Sequence, residues 1–146
     1  MGLDETVTAL PAGRLVAGIG FRRGATALEI AALLHRALAL AGADAGDLRG
    51  IATALDRADE PAIREAAAGF GLVPTGIDRD MLTAQDARVP TRSARIVAMR
   101  GVGSLCEAAA LAGAGAGGHL ALARMAVGSV TCALAFGPET HDKPEG

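Results

Sequence analysis

Apolar residues follow two alternating rhythms along this chain. Leu15, Val16, Ala17 and Ile19 form a short, nearly unbroken apolar run, the mark of a strand buried on both faces. From Thr26 to Ala41 the rhythm changes. Ile30, Leu33, Leu34, Ala37, Leu38 and Ala41 are spaced three and four apart, as on one stripe of a helix. Thr26 and Glu29 match the S/T-x-x-E capping box that would start this helix, and Gly42 would stop it. After a polar loop, Gly50–Leu55 predicts a second buried strand. Ile63, Ala66, Ala67 and Phe70 predict a second helix, with Asp59 as N-cap, Pro61 in its first turn and Gly71 as its end. Leu72–Thr75 predicts a short third strand.

The second half repeats this grammar. Asp78 is placed to cap a brief helical turn burying Met81 and Leu82, and residues Ala84–Pro90 predict a loop. Ser93–Met99 suits either a buried strand or a short helix. Gly101 and Gly103 precede Ser104 and Glu107, a second capping-box pattern. Leu105, Ala108, Ala109 and Ala112 give that helix its buried face and Gly113 its end. A glycine–alanine turn leads to paired strands at Leu120–Ala123 and Val127–Phe136, with Val130, Cys132 and Leu134 alternating onto one face. Strands alternating with helices predict an α/β fold, a three-layer sandwich. Its sheet would be mainly parallel or mixed, of about five strands, with helices on both faces. One domain spans residues 1–136, and 137–146 form a loose polar tail.

In such sheets ligands bind outside the carboxyl ends of the strands. Three loops are expected there: GIGFRRG, DRADE and the turn before Ser104. In the first, Gly18, Gly20 and Gly24 permit close backbone approach, and the helix start at Thr26 favours an anion. Arg22 and Arg23 add donors matched to carboxylate or phosphate. No lysine follows Gly24, so the Walker pattern fails, and Arg23 stands where a dinucleotide motif needs its third glycine. A nucleotide-binding domain using this loop is therefore only an alternative reading, and neither ATP nor NAD is expected to bind with useful affinity.

Composition narrows the ligand further. A formal net charge of −2 in 146 residues argues against generic binding to nucleic acid or acidic membranes. With Trp and Tyr absent and three Phe, bases have little to stack on. Cys106 and Cys132 lack C-x-x-C spacing and read as buried thiols. Asp4 and Glu5 stand where a signal peptide would be basic, and no apolar run is long enough to span a bilayer, so a cytoplasmic protein is expected. His35, His119 and His141 have no metal-ligand spacing, and no metal or cofactor is predicted. Asp59 and Glu60 are candidate general acid–base groups, with helix capping and a first-turn charge as their structural alternatives. Ser104 reads as a cap before it reads as a nucleophile.

Four motifs then occur in one order: GIGFRRG–T–LE, T-x-x-D-x-A-D-E at Thr53–Glu60, GVGSLCEAAAL, and R-x-x-x-G-x-V-T-x-A-x-A at Arg124–Ala135. In that order they resemble the cobalamin-biosynthesis family of CobE and the C-terminal domain of CbiG, over about Leu15 to Ala135. The resemblance implies a role in making the corrin ring. CbiG-type proteins open a lactone on a cobalt-bearing precorrin and have additional N-terminal domains, whereas CobE-type proteins stand alone. Phe21 sits where the family often has cysteine, and Arg57 and Arg124 sit where lysine is common, which suits anion contact better than amine chemistry. Under this resemblance the ligand is a precorrin-type tetrapyrrole fringed with carboxylates. Its contacts would be Gly18, Gly20, Arg22, Arg23, Gly24, Thr26, Arg57, Gly101, Gly103, Ser104 and Arg124. The expected function is an accessory or carrier module assisting other corrin-biosynthesis enzymes. Its alternative is a hydrolase or isomerase on the same intermediate, working through Asp59 or Glu60.

Overall fold

The computed structural model describes residues 14–137. Its order is β1 (Leu15–Phe21), α1 (Ala27–Leu40), β2 (Leu48–Ala54), α2 (Pro61–Ala68), β3 (Thr75–Ile77), α3 (Arg79–Thr83), α4 (Ala94–Arg100), α5 (Leu105–Ala114), β4 (His119–Val127) and β5 (Val130–Phe136). The strands form one mixed sheet in the order β3-β2-β1-β5-β4. β1, β2 and β3 are mutually parallel, while β5 runs antiparallel to both β1 and β4. The α/β architecture is the one the hydrophobic pattern predicts.

Side chains alternate across β1 and divide the core in two. Leu15, Ala17, Ile19 and Phe21 face α1 and α2, where Ile30, Leu33, Leu34, Leu38 and Ile63 complete one apolar cluster. Val16 faces the other way, into a cluster with Ala52, Leu82, Val102 and the alanines of α5. The sheet is thus covered on both sides, as parallel strands require. Thr26 caps α1 as predicted: its side chain accepts from Glu29 N–H at 3.1 Å, and Glu29 accepts from Thr26 N–H at 2.9 Å.

Elsewhere the chain corrects its sequence reading. Ala41 is exposed beyond the end of α1. β2 begins at Leu48, and Leu55 turns outward into a 3-10 turn, 59% exposed. Glu60, not Asp59, holds the N-cap position of α2, and its side chain makes no cap bond. The third strand lies at Thr75–Ile77 rather than Leu72–Thr75, with Val73 on the surface. Asp78 does cap α3, which buries Leu82 but leaves Met81 48% exposed. The ambiguous Ser93–Met99 segment is α4, capped by Ser93. α5 runs past Gly113 to a cap at Gly115, because Gly113 is a packing residue: a Cβ there would lie 2.9 Å from Val16 Cγ1. β4 spans nine residues from His119, and Val127 ends β4 rather than starting β5. Of the proposed tail, only Gly137 lies within the described residues.

Candidate functional site

The carboxyl ends of β1 and β2 carry two of the three predicted loops. After Phe21 the chain turns through Arg22, Arg23 and Gly24, all exposed. Arg22 N–H donates to Ser129 O at 2.9 Å, which ties the turn to the β4–β5 hairpin, and Ala25 N–H closes back on Arg22 O at 3.1 Å. Neither Arg22 nor Arg23 forms a salt bridge among the described residues. Thr26 spends its amide and hydroxyl on its capping box. Its role is structural, leaving later N–H groups of the first turn as the open donors.

Gly18 is not a ligand-approach position. A Cβ there would lie 1.9 Å from Cys106 O and 2.5 Å from Ala110 N, so α5 itself fills the space above it. Gly20 is similarly engaged, since its Cβ would lie 2.6 Å from Thr131 Oγ1, with Leu105 behind. Gly18 admits a helix and Gly20 the Thr131 side chain of β5. Gly24 differs: it is open to solvent with φ of +90°, a conformation that favours glycine.

The β2–α2 loop brings Arg57 onto the same end of the sheet. Its guanidinium stacks on the Phe21 ring at 4.2 Å from the centroid and pairs with Glu60. Two sequence candidates are therefore partnered with each other, and Glu60 is a counter-ion before it is a base. Asp59 is exposed and lies outside that pair. Asp56 accepts from Arg100 at 2.7 Å, anchoring this loop to α4. That hydrogen bond from the guanidinium holds the Asp56 carboxyl below its ordinary range.

The third loop is built differently from its prediction. Ser104 is the N-cap of α5 but makes no side-chain cap bond; it is buried, with Oγ 3.6 Å from Cys106 Sγ. The second capping box does not form. Glu107 is fully buried and accepts instead from Thr91 N–H at 3.0 Å, Thr91 Oγ1 at 2.9 Å and Arg124 N–H at 2.8 Å. Gly101 ends α4 with φ of +77°, and Gly103 lies against Thr91 and Arg92. Gly103 N–H donates to Asp86 at 2.9 Å, and Arg92 donates to the same carboxylate at 2.7 Å. The Arg92 bond, then the Gly103 amide, pushes the Asp86 carboxyl down in pKa. Arg124 is an exposed residue of β4 whose amide belongs to Glu107. Burial raises the pKa of both Cys106 and Cys132, as expected for inert core thiols.

Two surface concavities lie away from this rim. The larger, about 430 Å³, is lined by Arg88, Val89, Leu111, His119 and Leu120, toward the amino end of β1. The other adjoins Val16, Arg49 and Thr75. No group of three or more His, Cys, Asp or Glu is placed to hold a metal among the described residues. His35 packs on Phe70 at 4.7 Å between ring centroids, and His119 on Phe136 at 5.1 Å. Among the described residues, no single helix is long and apolar enough to cross a membrane.

Residues 15–135 match the family model described as "Cobalamin synthesis G C-terminus". The chain belongs to the CbiG C-terminal family. It is 38% identical over 139 residues to Protein CobE of Sinorhizobium sp, an alignment covering 95% of this chain and 90% of that one. The crystal structure of CobE, a protein from the cobalamin biosynthetic pathway, superposes with a TM-score of 0.80 at 33% identity, over 87% of this chain and 92% of that one. Cobalamin biosynthesis protein chiG from Agrobacterium tumefaciens str. C58 gives a TM-score of 0.69 at 34% identity, over 86% and 99%. This member of the family therefore shares its fold with CobE and chiG over most of the length of each chain.

Thr91, Asp86, Arg92 and Arg100 carry no periodic signal in the sequence. Their partners lie between six and 44 residues away, in contacts that only the tertiary fold creates. For Glu107 the signal was present but ambiguous: an acid at the third helical position satisfies a capping-box pattern whether it turns back or inward.

Proposed function

We propose that this cobalamin-biosynthesis protein binds a carboxylated precorrin-type tetrapyrrole at the carboxyl rim of its sheet, acting as an accessory or carrier module in the cytoplasm alongside other enzymes of corrin synthesis. The Arg22–Arg23 turn carries this reading. It is exposed, lacks a salt bridge among the described residues, and follows central β1 between Arg57 on one side and the β4–β5 hairpin on the other. A corrin precursor is flat and apolar with carboxylates around its edge. Arginines on a rim, with Phe21 and Arg57 stacked beside them, suit such an edge through bidentate contacts. The open sheet end favours holding a large ring by its perimeter rather than engulfing it. With Glu60 engaged by Arg57, the carrier reading stands ahead of hydrolysis or isomerisation.

Visible-absorbance titration with hydrogenobyrinic acid tests this. The parent is expected to bind, and Arg22→Ala/Arg23→Ala to bind at least about tenfold more weakly, with a difference that shrinks at high salt. Arg57→Ala is expected to weaken binding as well. The ligand recovered after incubation should have unchanged mass. Failure of the parent to bind, or equal affinity across the variants, removes the proposed site; a mass change would assign turnover instead.

A further inference from the structure

We propose that Glu107 is a positioning residue for β4: its buried carboxylate fixes the bulge that carries the exposed Arg124 and so sets where that arginine is presented to an anionic ligand. The ligand half of this inference rests on the function proposed above; the positioning half stands on geometry. Leu122 pairs with Leu134 and Met125 with Cys132, so β4 holds one residue more than β5 between those pairs. A strand with an extra residue leaves a backbone group without a ladder partner. The Arg124 amide, inside that interval, donates to Glu107 Oε2 at 2.8 Å. The carboxylate thus replaces the missing strand partner.

The same oxygen accepts from Thr91 Oγ1 at 2.9 Å, while Oε1 accepts from Thr91 N–H at 3.0 Å. Three donors from two separate segments converge on one fully buried carboxylate from α5. A buried carboxylate is costly unless its oxygens are satisfied, and here it is satisfied only when β4 is bulged and residue 91 is docked. The arrangement therefore has one register. A slip of β4 by one residue would withdraw the Arg124 amide from Glu107 and turn its side chain to the opposite face. Alanine at this position would let the edge strand choose its own pairing. Glutamine would place an amide group, part donor, against N–H groups that need an acceptor.

Backbone amide exchange by NMR, with the tetrapyrrole titration run in parallel, tests both halves. In Glu107→Gln, exchange at Arg124 and Thr91 should accelerate by at least about tenfold, while α1 and the β1–β5 pairing keep their protection. A role confined to general stability would speed all of these together, and that result, or unchanged exchange at Arg124, overturns the proposal. Should Glu107→Gln not fold, Thr91→Val removes only the Oγ1 bond to Oε2; faster exchange at Arg124 is expected and none would overturn it. For the ligand, Glu107→Gln should lower affinity by the same factor as Arg124→Ala, with no additional loss in the double variant. Independent, additive losses would overturn the coupling of Glu107 to Arg124. If the parent binds no tetrapyrrole, the proposed function fails while the exchange data still decide the positioning role.

Discussion

The two faces of the sheet are packed by opposite means. On the α1–α2 face, branched aliphatics from both layers interdigitate: Leu15 and Ile19 from β1 meet Ile30, Leu34 and Ile63, all nearly inaccessible. On the α5 face the helix presents Ala108, Ala109, Ala110 and Gly113, and β1 answers with Gly18. Backbone meets backbone there, because neither side has bulk to hold the layers apart. Large side chains can repack around a change, whereas a backbone contact has nothing to yield. The first face should therefore tolerate volume loss at a graded cost, and the second should tolerate almost no volume gain.

The largest expected effect is Gly18→Ala. The new methyl would fall 1.9 Å from Cys106 O, a backbone atom that can move only with the whole helix. Overpacking of this sort costs about 1–3 kcal/mol when side chains absorb it and more when they cannot. A loss above about 3 kcal/mol is expected, a large part of the stability of a domain this size. Leu34→Ala on the opposite face should cost about 2–5 kcal/mol but leave a cooperatively folded protein. Urea denaturation of both variants makes the comparison. If Gly18→Ala unfolds at the parent midpoint, close backbone packing is not what holds α5.

These two faces also differed in legibility. Ile30, Leu33, Leu34 and Leu38 repeat at helical spacing against polar neighbours, so α1, its stripe and its cap could be read directly. α5 is apolar or small nearly all round and carries its one acid inward, so periodicity gave its existence but not its end or its contacts. At Gly18 and Gly20, glycine's missing side chain signals space without saying what occupies it, so sequence alone cannot tell a ligand from a neighbouring helix or side chain. The cationic character of the rim was legible from residue type. Its pairings, Arg57 with Phe21 and Glu60, depended on the tertiary fold.

Of intermediate size is the contrast between the two helix starts. Thr26→Ala removes a formed capping bond and should cost about 0.5–2 kcal/mol. Ser104 makes no such bond, so Ser104→Ala should cost less than Thr26→Ala when both are measured by thermal or chemical unfolding. Equal losses would show that the buried Ser104 contributes through its Cys106 contact as much as a helix cap does.

The smallest expected effect is an acid-induced loosening confined to the α5 side. Asp86 binds Arg92 and the Gly103 amide, and Asp56 binds Arg100 of α4. Both carboxyls are held below their ordinary value of 3.8, chiefly by hydrogen bonds from those arginines. A depressed pKa in the folded protein stabilises it above the unfolded value, and that contribution fades as pH falls through the lower folded value. Stability from these pairs should thus be complete at neutral pH and be lost progressively below about pH 4. Because the pairs are partly or fully solvent-exposed, the change should be modest and weakened by salt. The α1 capping bond offers no corresponding arginine pair. Amide exchange between pH 5 and 3, corrected for intrinsic rates, should therefore rise first at Gly103 and α4 while α1 stays protected. Arg100→Ala should abolish the Asp56 share of that acid response and leave the Gly103 response in place. Simultaneous loosening of α1 and α4 would mean that the two faces, despite their different packing, open as one unit.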